Sequence, residues 1–301
     1  MSLCMIGCGR TTEKSATSVD LSGTWDANTK VSYLGPAGTY TEEATQFFFE
    51  GNGTLIPKET VADAIADVSS GASEYAVIPQ ENTLGGAVTD YVDALMATED
   101  VYVVGEVILP ISQTLMGISG ASIEDIKTVC SHSQGIKQTV QWRNEHMPEA
   151  VTEEMASTAA AASYVAEQGD KTIAAIAAPG AAQLYGLTVL AENVQITDAN
   201  KTRFYVLSKT PNPGVACSNA VFVADCEANL IDDIIVTVHQ AGLELVTIHD
   251  RPEGSALGSY HYILETENEG GITQTQIDKV CKNDSVRFLG CYNVKEKAIG
   301  E

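Results

Sequence analysis

The strongest constraint on the fold is an alternation of β-prone runs and helical patterns over about residues 31–207. The run at residues 31–34 stops at a Gly-Pro-Ala-Gly turn and is followed by a helical pattern; the run at 75–78 stops at Pro79 before a polar, glycine-rich segment. Such alternation is typical of a mainly parallel α/β arrangement. Because polar residues follow several strands, where open α/β sheets place their ligands, the sequence predicts two lobes facing across a cleft.

A change in composition marks a second unit. Thr210-Pro211-Asn212-Pro213-Gly214 has two prolines and a glycine with nothing apolar to bury, which predicts a linker over residues 210–218. Residues 219–296 then show strands and helices in the order βαββαβ, a ferredoxin-like α+β pattern. We expect residues 31–209 to form one domain with lobes at about 31–106 with 190–209 and at 107–189. Residues 1–30 are interpreted as a poorly ordered lead-in.

Charge and composition exclude several kinds of partner. The chain has 17 Lys and Arg against 40 Asp and Glu, a net charge of −23, which repels nucleic acids and anionic membranes. No apolar run reaches the roughly 18 residues that span a bilayer. The seven cysteines and five histidines are scattered without metal-ligand spacing, and the odd cysteine count suits reduced thiols. We therefore expect a cytoplasmic protein with neither nucleic acid nor membrane as a partner.

The stretch Asn200-Lys201-Thr202-Arg203-Phe204 places a hydroxyl beside a guanidinium. Only five arginines occur in the chain, and an acidic protein that binds a carboxylate needs local positive charge. The stretch by itself is more typical of an exposed strand whose charge points into solvent. The other motifs have to decide between these interpretations.

Four further polar segments lie where strands end or helices begin. They are Gly35-Pro36-Ala37-Gly38-Thr39-Tyr40, Pro79-Gln80-Glu81-Asn82-Thr83, Ser131-His132-Ser133-Gln134 with Gln138 beyond it, and Ser157-Thr158-Ala159-Ala160-Ala161. A strand, a glycine turn and a helix start can present backbone N–H groups to an anion, although a plain tight turn explains the first segment equally well. Helix capping is likewise an alternative role for Ser157 and Thr158.

In this order and spacing, the five motifs resemble the prephenate dehydratase family with a C-terminal ACT regulatory domain. The resemblance covers about residues 31–294. It implies a two-lobed, periplasmic-binding-protein-like (type II) catalytic domain that converts prephenate to phenylpyruvate, CO2 and water in phenylalanine biosynthesis. It implies no metal or organic cofactor. It also implies L-phenylalanine as an effector and a homodimer or homotetramer formed through the ACT domain. Arogenate dehydratase and a non-catalytic ligand-binding or sensor protein are the alternative functions.

The resemblance also assigns roles to residues. Thr202, Asn82, Ser131 and Gln138 are the expected catalytic residues, with Thr202 as the hydrogen-bond donor to the leaving 4-hydroxyl. Arg203 is expected either to grip a carboxylate bidentately or to brace the segment that holds Thr202. An imidazole exchanges protons near neutral pH, yet in this motif we expect His132 to orient its neighbours. The substrate-binding residues implied are Arg203, Phe204, Thr83, Gly38, Thr39, Ser157, Thr158, Glu81 and His132.

Several positions depart from the family pattern. Ser133 and Gly135 stand where the family has proline and commonly alanine, and Gly85 stands where it often has glutamate. These changes could tune the choice between prephenate and arogenate. In the ACT domain, altered motifs supply the expected effector-binding residues: His249, Asp250, Arg251, Pro252, Asn229 and Leu230. We expect retained dimerisation with a weakened response to phenylalanine. The thirty residues before Val31 are too short and too polar for a fused chorismate mutase domain.

Overall fold

The computed structural model describes residues 25–212, 216–254 and 257–298. Most of the predicted lead-in and three residues of the predicted linker lie outside these ranges. The strands are β1 (Lys30–Leu34), β2 (Thr54–Lys58), β3 (Tyr75–Asn82), β4 (Gly86–Ala87), β5 (Tyr102–Pro110), β6 (Thr114–Gly117), β7 (Thr128–Ser131), β8 (Val151–Glu154), β9 (Ile173–Ala177), β10 (Thr188–Ala191), β11 (Lys201–Ser208), β12 (Asn219–Glu227), β13 (Glu244–Pro252), β14 (Ser259–Glu267), β15 (Val286–Tyr292) and β16 (Val294–Glu296). The helices are α1 (Tyr40–Phe48), α2 (Val61–Ser70), α3 (Thr89–Met96), α4 (Ser133–Gln138), α5 (Val140–His146), α6 (Thr158–Gln168), α7 (Pro179–Leu184), α8 (Ile231–Gln240) and α9 (Gln274–Val280).

The first lobe is built on a sheet with the strand order β5-β11-β3-β1-β2. Helix α1 packs on one face of this sheet, and α2 and α3 pack on the other. Strand β1 is parallel to β2 and β3, whereas β11 is antiparallel to both β3 and β5. The sheet is therefore mixed, not mainly parallel as predicted. The reason is that the chain leaves the lobe along β5 and returns along β11 in the opposite direction.

The second lobe contains the sheet β10-β6-β9-β7-β8 and helices α4 to α7. The lobe limits predicted near residues 107 and 190 both fall inside strands. Strand β5 continues in the first sheet to Pro110, and β10 pairs with β6 in the second. The chain thus crosses between the lobes at residues 111–113 and again at 192–200. The apolar half of β5 at residues 107–109 belongs to the first lobe because it pairs with β11.

The C-terminal unit has the predicted βαββαβ order. Its four strands form an antiparallel sheet in the order β13-β14-β12-β15. Helices α8 and α9 pack on one face of this sheet around Phe222, Ile234, Val238 and Leu264. The predicted fold class, two α/β lobes around a cleft followed by an α+β unit, is confirmed.

The C-terminal unit is not independent of the first lobe. Val221, Val223 and Ile263, on the sheet face away from α8 and α9, share one buried cluster with Tyr91 and Tyr205 of the first lobe. Strand β12 is therefore buried on both faces, which explains the unbroken apolar run at residues 220–224, since half-exposed strands alternate in polarity. The prediction of a separate unit missed this shared core.

The predicted βαββαβ order ends in one strand, but the structure has two strands there. Strand β15 stays in the C-terminal sheet, and β16 pairs in parallel with β5 of the first lobe. At the point of contact a Cβ atom on Gly290 would lie 2.1 Å from the Val103 carbonyl oxygen, so only glycine fits. The sheet edges of the lobe and the unit therefore meet backbone to backbone. No helix in the described ranges is long and apolar enough to cross a membrane.

Candidate active site

A cavity of about 590 Å³ lies between the two lobes. The first lobe contributes the turn after β1, the end of β3 and the start of β11. The second lobe contributes α4 and the residues that begin α6. The expected site residues among those that line the cavity are Thr39, Asn82, His132, Gln138, Ser157, Thr158, Thr202 and Phe204.

Strand β11 presents its alternate residues to two different surroundings. Thr202 and Phe204 face the cavity, whereas Arg203 and Tyr205 face the C-terminal unit. This follows from the period of two residues in a β-strand. Thr202 is directly opposite Asn82 on β3, and it is only 8% exposed.

Asn82 fixes the hydrogen bonding of Thr202. The Asn82 Oδ1 atom accepts the backbone N–H groups of Leu84 and Gly85, at 3.0 and 2.9 Å. These donors fix the amide orientation, so Nδ2 must point the other way, and it donates to Thr202 Oγ1 and to Asn200 Oδ1, each at 2.9 Å. Since the Thr202 oxygen accepts this bond, its own hydroxyl proton can be donated to a group in the cavity.

A line of side-chain amides continues from Asn82 across the cleft. Asn200 donates to Gln138 Oε1 at 3.1 Å, and Gln113 donates to the same oxygen at 3.0 Å. Gln138 is on the second lobe, and Asn200 lies where the chain re-enters the first. The two lobes are thus connected by neutral hydrogen bonds beside Thr202.

Two helices begin at the cavity wall. Thr39 caps α1 by accepting the Glu42 N–H, and Ser157 caps α6 by accepting the Ala160 N–H at 3.0 Å. Ser157 is therefore a helix cap. The first backbone N–H groups of both helices add positive potential to the cleft. Neither Lys nor Arg is among the described residues that line the cavity.

Five expected site residues, Arg203 among them, lie outside the cavity lining. The Ser131 hydroxyl is fully buried and donates to the Ile176 carbonyl at 2.7 Å, which leaves it no proton for a substrate. Thr83 Oγ1 donates to the Lys201 carbonyl and accepts the Lys201 N–H. Gly38 packs against α7 at the opposite end of the β1–α1 turn. Glu81 faces Arg203 on the back of the sheet.

Arg203, expected at the substrate, is instead the centre of a cluster behind the sheet. Its Nε and Nη2 atoms donate bidentately to Glu106 of β5 at 2.9 and 2.8 Å. Nη2 also donates to Glu265 of β14 at 2.7 Å, and Nη1 donates to Glu81 at 3.3 Å. The bracing role is the one that these contacts support. We call Arg203, Glu81, Glu106 and Glu265 the arginine cluster.

Burial and charge oppose each other in the arginine cluster. Glu106 and Glu265 are 1% and 2% exposed. Burial alone would lower the pKa of Arg203, but Glu106 and Glu265 hold it above its ordinary value. Burial raises the pKa of Glu265, and Arg203 offsets only part of that rise. One cation among three carboxylates therefore leaves Glu265 less acidic than an exposed glutamate.

The expected effector-binding residues lie on the C-terminal unit, and two of them contact α3 of the first lobe. The His249 ring hydrogen-bonds the Tyr91 hydroxyl, and burial lowers the pKa of His249. Arg251 donates bidentately to Asp93 at 2.8 and 2.6 Å. The other expected residues, Asp250, Pro252, Asn229 and Leu230, are exposed.

His132 and Gly135 line the cavity, and Gly85 lies against Gln134 of the same lining. His132 accepts the Gln134 N–H as the N-cap of α4, which fits an orienting role. A Cβ atom on Gly135 would lie 2.3 Å from Ser131 Oγ, and one on Gly85 would lie 2.6 Å from the Gln134 amide nitrogen. Both glycines therefore make room for neighbouring polar side chains.

Sequence reasoning missed four residues around this site. Asn200 and Gln113 complete the amide line, and no pattern marked Gln113. Glu106 and Glu265 complete the arginine cluster. Their signal was present, since each is an acidic residue within an apolar strand, and a buried charge needs a partner. Within the described residues, no group of three His, Cys, Asp or Glu side chains is arranged to bind a metal ion.

Comparison with known proteins identifies relatives over most of the chain. The family model described as prephenate dehydratase matches residues 31–212. A prephenate dehydratase from Lactococcus lactis subsp. cremoris is 30% identical, over 88% of this chain and 98% of that protein. The family match spans both lobes, and the match to the Lactococcus protein is long enough to continue into the C-terminal unit.

Solved structures with the same fold also cover the three parts. The prephenate dehydratase from Arthrobacter aurescens in complex with L-Phe has a TM-score of 0.79 and 29% identity, covering 88% of this chain and 90% of that one. GqqA, described as a novel type of quorum quenching acylase, has a TM-score of 0.76 and 25% identity, covering 88% and 98%.

The arginine cluster predicts unequal effects for two arginines at the same interface. We expect Arg203→Ala to lower the free energy of unfolding by about 3–5 kcal/mol, because Glu106 and Glu265 would be left buried without a cation. Arg251→Ala removes a similar bidentate pair, but Arg251 and Asp93 are 34% and 52% exposed, and we expect a much smaller loss. Chemical denaturation of both variants measures the difference. Equal losses would contradict the assignment.

Proposed function

The chain belongs to the prephenate dehydratase family, a family of hydro-lyases, and from this premise we propose that Thr202 is the residue that assists departure of the 4-hydroxyl of prephenate. In this reaction the C–O bond at ring carbon 4 breaks, the ring carboxylate leaves as CO2, and the electrons of its bond to the ring complete the aromatic system. The products are phenylpyruvate, CO2 and water. The protein has to hold the substrate and to place a proton donor at the leaving oxygen.

The observation that carries this proposal is the fixed amide of Asn82. With its oxygen held by two backbone N–H groups, Asn82 can only donate to Thr202, so the Thr202 hydroxyl keeps its own proton available for a group in the cavity. An alcohol is a weak acid. Its donation therefore becomes effective late, when negative charge has developed on the departing oxygen, and the hydrogen bond stabilises that charge.

We propose that neutral donors bind the two carboxylates of prephenate. The starts of α1 and α6 supply backbone N–H groups and a positive helix potential. The Thr158 hydroxyl and the amide of Gln138 line the same cavity. We assign Arg203 no part in this binding; its guanidinium is engaged behind the sheet, which supports the assignment.

The role of Thr202 predicts a loss of turnover without a loss of binding. We expect Thr202→Ala to lower kcat for phenylpyruvate formation by about 10²-fold or more, the effect of one lost acid or oxyanion donor, with KM little changed. Thr83→Ala is the matched control, since it deletes a hydroxyl next to Asn82 that faces the Lys201 backbone. A near-normal rate in Thr202→Ala would remove Thr202 from the mechanism. A non-catalytic binding protein would show no turnover in any form.

Prephenate is the proposed substrate, with arogenate as the alternative. Arogenate carries an ammonium where prephenate has a keto group, and Glu59 is the acidic side chain that lines the cavity. Glu59 is exposed, so solvent screens its attraction for an ammonium. We expect the purified protein to give the higher kcat/KM with prephenate. A preference for arogenate of about tenfold, 1.4 kcal/mol in the transition state, would reverse this assignment.

The similarity to an acylase does not change the proposal. Acyl transfer by a hydroxyl requires a base within hydrogen-bonding distance of the nucleophile. In the described part of the chain, His132 accepts a backbone N–H and pairs with no hydroxyl. The Ser157 oxygen caps α6, and the Thr202 oxygen accepts from Asn82.

We further propose that the C-terminal unit acts as an ACT domain with a weakened response to L-phenylalanine, the ligand bound in the Arthrobacter relative. The altered motif supports this, because His249 and Arg251 are engaged with α3 of their own chain. We expect millimolar phenylalanine to inhibit prephenate turnover only slightly, as measured by phenylpyruvate formation. Strong inhibition at micromolar phenylalanine would show that the motif still binds it.

Assembly and location complete the proposal. Strand β13 forms an edge of the C-terminal sheet, and Leu230, Val236 and Val246 are exposed apolar side chains on this unit. We propose that they contribute to a homodimer or homotetramer, which light scattering measures directly. A cytoplasmic location fits the scattered cysteines, of which those in the described residues are unpaired.

A further inference from the structure

The two residues that form the donor pair, Thr202 and Asn82, lie on neighbouring strands of the first lobe. Thr202 on β11 is in register with Asn82 on β3. One residue along β11, Arg203 lies opposite Glu81 but Phe204 lies opposite Pro79, so Gln80 is an extra residue on β3. Such a bulge re-aims side chains. Here it places Gln80 and Glu81 behind the sheet and Asn82 in front.

Glu265, which comes from the C-terminal unit, contacts both of these strands from behind. It accepts from Arg203 at 2.7 Å and from the Tyr205 hydroxyl, both on β11. It also accepts from the buried amide of Gln80 on β3. One carboxylate thus connects the two strands directly behind the Thr202–Asn82 pair.

Glu106 holds Arg203 differently. It lies on β5, next to β11 in the same sheet, and so restrains the arginine from within the first lobe. Among the described contacts of the arginine cluster, only those of Glu265 connect β11 and β3 to the C-terminal unit. The donor pair therefore lies on the first lobe, and Glu265 of the C-terminal unit contacts both strands that carry the pair.

We propose that Glu265 is a positioning residue for Thr202: by holding Arg203, Tyr205 and Gln80 it keeps β11 and β3 in the register in which Asn82 donates to the Thr202 hydroxyl. This inference rests on the proposed role of Thr202. It makes the docked C-terminal unit part of the catalytic arrangement, in addition to any response to an effector. Small displacements at a donor have large effects on rate, since about 1 Å of misplacement costs up to about 10²-fold.

The decisive experiment is a double-mutant cycle between Glu265 and Thr202 in the full-length protein. We expect Glu265→Ala to lower kcat for prephenate by about tenfold or more, with KM within about twofold, because binding does not depend on the donor pair. In a Thr202→Ala background the same substitution should cause no further loss, since the group that it positions is already absent. A purely structural role would give the same loss in both backgrounds.

Matched variants separate positioning from loss of stability. Leu264→Val weakens the packing of the same strand on its other face, toward α8 and α9, and should lower the melting temperature but keep kcat. Glu296→Gln breaks the pair with Lys201 on the other side of Thr202, where the side chains are 49% and 39% exposed, and should leave kcat unchanged. If Glu265→Ala does not fold, Glu265→Gln takes its place in the double-mutant cycle, because it keeps the volume of the side chain.

The outcomes distinguish this inference from the proposed function. A wild-type kcat in a folded Glu265 variant, or an equal loss with and without Thr202, overturns the positioning role while Thr202 keeps its own. A near-normal rate in Thr202→Ala overturns the role of Thr202 and with it this inference. A loss at Glu265 that disappears in the Thr202→Ala background supports both.

Discussion

The buried guanidinium of Arg203 determines how the parts of this protein fit together. Carboxylates from β3, β5 and β14 converge on it, two of them almost fully buried. Buried carboxylates are tolerated only when a cation or several hydrogen bonds compensate them. The C-terminal unit must therefore dock on the first lobe in the one arrangement that brings Glu265 to Arg203. The shared apolar cluster and the close contact at Gly290 agree with that arrangement.

The same interaction decides which face of β11 lines the cleft. Because side chains alternate along a strand, anchoring Arg203 behind the sheet turns Thr202 and Phe204 toward the cleft. In the proposed mechanism the arginine acts through geometry, because its charge is engaged within the arginine cluster. Thr202 needs only to be held at a defined position, which Asn82 in front and the cluster behind both provide.

The sequence predicted the lobes, the βαββαβ unit and most of the cavity lining, because each depends on local signals such as a strand end, a helix cap or a periodic pattern. It could not place Arg203. Alternation shows that Thr202 and Arg203 face opposite ways but not which of them faces the cleft. That choice depends on Glu265, which lies 62 residues farther along the chain. The position of Ser131 outside the cavity lining has a similar reason: its motif was recognised, but the bond to the Ile176 carbonyl forms only when β9 lies beside β7.

A chain with a net charge of −23 that binds a dianion has an electrostatic problem, and the structure indicates how it is met. The cavity places no cationic side chain among its described lining residues; it uses backbone N–H groups at two helix starts and a line of side-chain amides. Fixed dipoles of this kind stabilise charge without having to reorganise during the reaction. Among the described lining residues there is also no cation near Thr202 that could pair with a departing hydroxide. In the role proposed for Thr202, its hydroxyl meets the developing charge, so its orientation by Asn82 matters more than its acidity.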